Sequence, residues 1–211
     1  VGTAVLFARD KVIYQPFFGR FHPVVVMVVV AILGFVLLAL FLSRDWFVIF
    51  QAQNWRGWLS AAALGALLAA IMILFDSQVL LPEDVNRPYP AALLFYPTIG
   101  FVVEIIFHVL PLAILLFAAT ALFKSVTFEQ LVWPCIFFVA LLEPFFQTWW
   151  GFSRPYPWWV LGIVALIIFL INLAQLALFK QYDFASMYAL RLVYYLLWHV
   201  VWGVIRLRVL F

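Results

Sequence analysis

Six stretches of mainly apolar residues, near 24–42, 58–75, 98–123, 131–150, 158–179 and 184–205, leave this 211-residue chain little choice of architecture. Each approaches the roughly 20 residues that an α-helix needs to cross the hydrocarbon core of a bilayer. A backbone N–H or C=O in lipid finds no water, so a spanning segment satisfies its own hydrogen bonds by becoming a helix. The charges and turn formers fall between the runs, in "SRDW", "DSQVLLPEDVNRPYP", "KSVTFEQ", "SRPYP" and "KQYD". The sequence therefore predicts an all-α, polytopic transmembrane bundle of six helices, occupying 24–211 as one domain without internal repeats. Composition agrees, because a chain that is 69% hydrophobic and 10% charged has too little polar surface for a water-soluble domain.

Residues 1–23 read differently. "LFARDKVIYQPFFGRFHP" mixes Phe and Tyr with Arg9, Lys11 and Arg20, as an amphipathic segment lying along the membrane interface does. Charges interrupt it too often for a signal peptide. Six spans put both termini on one side, together with Arg9, Lys11, Arg20, Arg87, Arg154, Arg206 and Arg208, against Arg44, Arg56, Lys124 and Lys180 on the other. That imbalance predicts cytoplasmic termini, in a bacterial inner membrane. The net charge of +3 comes with no basic run dense enough for nucleic acid. The single cysteine, Cys135, lies in an apolar run, which excludes an intramolecular disulfide and a Cys-based metal cluster.

Glu104, His108, Glu143, Asn172, Gln175, Arg191 and His199 all fall inside the predicted spans. An ionisable group at a helix centre costs about 2.5–3.5 kcal/mol on insertion scales, so each should face the bundle interior with a partner. Their spacing fits. Glu104 and His108 are i and i+4, Asn172 and Gln175 are i and i+3, and Arg191, Tyr195 and His199 form an i, i+4, i+8 stripe. Glu143 has Gln147 one turn on, and Pro144 beside it is expected to kink that helix. Two carboxylates and two imidazoles around one cavity are the groups that activate water, a Glu as base and a His as proton carrier. They are also metal-ligand types, but the paired Glu-x-x-His spacing of carboxylate-bridged sites is absent, since Glu104 to His108 is one residue longer. No metal is assigned. The competing reading is structural: Arg191 neutralises Glu104 or Glu143 in a buried network that fixes how the helices register.

Other features read as packing and anchoring. Trp149, Trp150, Trp158 and Trp159 flank "SRPYP" as belt residues at a membrane boundary. "GALLAA" in the second span is a close-packing face, and His22 before Pro23 is interfacial. Tyr194 and Tyr195 read as packing or hydrogen-bonding groups.

At "VEIIFHV" the chain resembles the first motif, EExxFR, of the CPBP family of intramembrane proteases, relatives of the CAAX prenyl endopeptidases; Glu104 and Phe107 match its second Glu and its Phe. "LFKQYDFASMYALRLVYYLLWHV" is similar to the family's C-terminal pattern, with His199 at its last histidine, and "FFVALLEPFF" stands where the family carries FxxxH. The resemblance covers roughly residues 90–205. It also departs from the pattern: Val103 replaces the first Glu, His108 the Arg, Glu143 stands nearest the missing histidine, Arg191 falls where many relatives have an earlier His, and Gly203 replaces the final Asn. In that family the paired Glu and the histidines are taken to activate the attacking water, so the resemblance implies the fold with a degenerate site.

Three functional expectations follow. The leading one is a non-catalytic structural or chaperone-like subunit that needs no cofactor, packs against other transmembrane subunits and sits in a larger assembly, respiratory or photosynthetic. The second is an active intramembrane endopeptidase using Glu104, Glu143, His108 and His199. The third is a haem- or chlorin-binding subunit with His108 or His199 as axial ligand.

Overall fold

In the computed structural model the described residues are 2–9, 13–151 and 156–210, and all their regular structure is helical. Six helices are long and apolar enough to cross a membrane: Pro23–Ser43, Trp55–Val79, Ala92–Leu122, Phe128–Thr148, Trp158–Gln181 and Phe184–Val209. They are called the first to sixth spans below. The chain is an integral membrane protein, a six-helix bundle whose outward Val, Leu, Ile and Phe side chains face lipid. Lys11 and Arg154, and the side chains of Arg9, Trp149 and Trp150, lie outside the described residues.

The spans fall where the apolar runs predict, with one shift of consequence. The third begins at Ala92 rather than near 98, because the helix runs through Pro97. One missing N–H close to a helix start costs a single bond, and the apolar residues on both sides outweigh it. The earlier start gives the N-terminal segment something to fold against. Two short helices, Gly2–Arg9 and Gln15–Phe18, bring Leu6, Ile13, Tyr14 and Phe18 onto Ala92, Phe95, Tyr96 and Ile99. Gly19, at φ 58°, ends the second of them in a backbone region that favours glycine. His22 is exposed and meets Phe7 edge-on at 4.7 Å.

Two apolar clusters make the core. One joins the first, third, fourth and fifth spans around Phe41, Phe47, Leu112, Ile136 and Phe179; the other joins the second, fifth and sixth around Leu68, Met72, Ile171, Leu190 and Trp198. Small residues bring the second and sixth spans together. Gly57, Ala61, Gly65 and Ala69 recur every four residues and are all buried, extending the stripe that "GALLAA" marks in the sequence.

The fourth span breaks at Leu141, between helices Phe128–Ala140 and Leu142–Gly151. Pro144 lacks the N–H that would have bonded the Ala140 carbonyl. Asn172 of the fifth span supplies the missing donor, its Nδ2 reaching that carbonyl at 3.3 Å. The break places Glu143 at a helix start, facing inward and 3% exposed.

Polar locks close both ends of the bundle. At the end away from the termini, Asp183 caps the sixth span. It accepts from Ser186 N at 2.7 Å, Gln51 N at 2.9 Å and Asn54 Nδ2 at 3.0 Å. Burial raises the Asp183 carboxyl and these donors lower it further, leaving it below its ordinary value. A carboxyl depressed in the folded chain stabilises the fold above its unfolded value, near pH 3.9, and loses that contribution as pH falls through the folded value. Asp183→Ala is therefore expected to cost about 1–3 kcal/mol at neutral pH, with the gap to wild type closing on acidification below about pH 4. Parallel thermal-unfolding curves against pH check this; a gap that stays constant with pH contradicts it. At the other end, Asp76 Oδ2 accepts from Arg206 Nε at 2.7 Å and Trp202 Nε1 at 2.8 Å, and its Oδ1 accepts from Leu81 N at 2.9 Å. Asn86 receives Arg206 Nη1 at 3.3 Å and donates to the Trp198 carbonyl, fastening the longest connection to the sixth span.

Candidate functional site

Both intramembrane histidines sit in widened π-helical turns. Glu104–Val109 interrupts the third span and Leu196–Trp202 the sixth. In the first, Leu110 N–H reaches back to the Ile105 carbonyl, and Pro111 has no N–H to restore the regular pattern. Such turns are uncommon and recur at functional sites. The first one sets Glu104 and His108 side by side, with Nδ1 of the ring 2.7 Å from Glu104 Oε2.

Arg191 is the hub. Its Nε donates to Glu104 Oε1 at 2.5 Å. Nη1 and Nη2 hold Glu143 in a two-pronged pair, at 3.3 Å to Oε1 and 3.0 Å to Oε2. The remaining donor capacity goes to Tyr195 Oη at 3.1 Å, Asn172 Oδ1 at 3.3 Å and Gln175 Oε1 at 2.9 Å. Gln175 in turn donates through Nε2 to Glu104 Oε1 and to the Met187 carbonyl. Gln147 donates to Glu143 Oε1 at 2.9 Å. Glu104, His108, Asn172 and Gln175 are fully buried and Arg191 nearly so. Four spans thus meet at one network, and the structural alternative in which Arg191 serves either Glu104 or Glu143 is realised with both at once.

A cavity of about 340 Å³ lies beside this network, among the second, fourth, fifth and sixth spans. It runs from Leu81, Pro82, Val85 and Tyr156, at the end of the bundle that carries the termini, to Glu143, Asn172 and Arg191. Tyr194, Tyr195, Trp198 and His199 form its wall on the sixth span. Glu104 and His108 do not line it; they lie behind Arg191 and Glu143.

His199 joins a different constellation from His108. Its ring stacks on Tyr96 at 4.1 Å between centroids, and its Nδ1 lies 3.4 Å from Asn86 Nδ2. It forms part of the contact between the sixth span and the connection at Val85–Arg87, where Tyr96 Oη also bonds both Val85 O and Arg87 N. Tyr96 covers a face of His199, and Nε2 of His108 faces Glu143 Oε2 at 3.8 Å. Among the described residues no three of His, Cys, Asp and Glu converge as a ligand set.

Reading the spans alone misses Asp76, Asn54, Asp183 and Arg206, at or next to span ends, and Asn86, in the longest connection, where a polar residue passes as an ordinary solvated one. The signal was available for one pair: Asp76 and Arg206 fall in the last turns of two spans that finish on the same side.

No family model, curated protein or solved structure matches the chain.

Proposed function

We propose that this chain is a non-catalytic bundle of the CPBP type, a structural subunit of a larger assembly in a bacterial inner membrane with its termini cytoplasmic. The observation that carries the reading is the state of Glu104. The carboxylate that the family resemblance assigns to water activation is fully buried and receives Arg191, Gln175 and His108. A general base needs a lone pair within reach of the water it deprotonates, and the donors around Glu104 leave no face of it toward the cavity. Arg191, where many relatives carry histidine, converts two carboxylates into one closed ion-pair network. Such a network fixes registry among helices that gain nothing from the hydrophobic effect when they leave lipid for one another. Outward rings on the fourth span, Trp133, Phe137, Phe138, Phe145 and Phe146, add shaped surface against which other transmembrane helices can pack.

The endopeptidase reading makes the opposite prediction for one substitution. With a prenylated or transmembrane peptide as substrate, wild type and Glu104→Gln are expected to be equally inert. Cleavage by wild type that Glu104→Gln abolishes overturns the non-catalytic reading.

A further inference from the structure

We infer that Glu104, His108 and Glu143 hold one exchangeable proton between them, delivered from the cavity at Glu143. His108 Nε2 is buried and has no hydrogen-bond partner among the described residues. Its Nδ1 meets a carboxylate oxygen, Glu104 Oε2, at 2.7 Å, and an ionised carboxylate only accepts, so Nδ1 carries the hydrogen. In the neutral ring Nε2 is then a bare acceptor, and the group it faces, Glu143 Oε2 at 3.8 Å, is another acceptor. The separation is too long for a hydrogen bond and too short for a water between the two. One proton turns this opposed pair into an N–H···O bond after a small side-chain rotation.

Charge points the same way. With both carboxylates ionised and the ring neutral, two negative groups surround one guanidinium, and the buried cluster keeps a negative charge that a low-dielectric interior disfavours. Among the described residues no further charge is at hand to cancel it. The fifth span contributes neutral Asn172 and Gln175, the sixth contributes Tyr188, Tyr194 and Tyr195 besides Arg191, and Pro23–Ser43 has no titratable side chain. The proton's path needs only O–H and N–H bonds. It passes from cavity water to Glu143 Oε2 and then to Nε2, and the ring can hand its Nδ1 proton on to Glu104 Oε2. Glu143 lines the cavity and is the port; Glu104 does not and is the store.

Ring-15N NMR of the full chain in detergent or bilayers tests the inference, and with three histidines in the sequence the His108 signals are readily assigned. The His108 ring nitrogens are expected to respond to bulk pH. Glu143→Gln is expected to abolish the response, because an amide N–H then supplies Nε2 with a permanent donor. Wild-type signals that ignore pH overturn the inference whether or not the variant folds. An unchanged response in a folded Glu143→Gln chain overturns it as well.

Discussion

Arg191→Met is expected to destabilise the bundle by about 3–5 kcal/mol, the usual cost of removing one partner from a buried ion pair. Methionine fills much of the arginine's volume, so the loss is mainly electrostatic. Glu104 and Glu143 would be left facing each other across His108 without the guanidinium that now bonds both. Asn172 and Gln175 would each lose a donor to a side-chain oxygen, although their own donor groups keep the Ala140 and Met187 carbonyls. The triple variant Glu104→Gln, Glu143→Gln, Arg191→Met is expected to recover most of the loss, since removing all the charges together leaves none uncompensated. Thermal unfolding in detergent separates the cases. A triple variant as unstable as Arg191→Met would mean that the arginine matters for its volume or its contacts and not for charge.

A methyl group at Gly65 is also expected to destabilise the bundle strongly. A Cβ there would lie 2.8 Å from the Leu190 carbonyl oxygen and 3.1 Å from Val193 Cβ, and a backbone oxygen has no rotamer by which to retreat. The second and sixth spans would have to move apart along the stripe that also carries Gly57, Ala61 and Ala69, at a cost of about 1–3 kcal/mol. Gly162→Ala is the control, because a Cβ at that position meets nothing within 4 Å. There the change is expected to be neutral or favourable by about 0.5–1 kcal/mol, from helix propensity. Equal effects at the two glycines would contradict the close approach of the spans.

The membrane bundle was legible because hydrocarbon imposes length and apolarity on each helix independently, and a single chain displays both. The polar cluster was legible for a related reason. A Glu, His or Arg inside an apolar run has to find a partner, and the i, i+4 spacings of Glu104 with His108 and of Arg191 with Tyr195 placed them on shared faces. Depth and pairing between helices were not legible. Nothing in the local pattern says that Arg191 reaches two carboxylates, that Glu104 lies behind it while Glu143 meets the cavity, or that His199 turns instead to Asn86 and Tyr96. The role of Asn172 escaped for a subtler reason: its partner is a backbone carbonyl released by Pro144 on another helix. Sequence spacing registers neighbours along one helix, whereas these contacts depend on how helices cross.

On the proposed reading the polar core is a lock in a subunit rather than a site of hydrolysis. Native mass spectrometry of the protein released gently from its own membrane tests it most directly. The expected result is a stoichiometric assembly with other membrane-spanning chains. A chain that leaves the membrane alone, with no partner at any detergent strength that keeps it folded, would contradict the account.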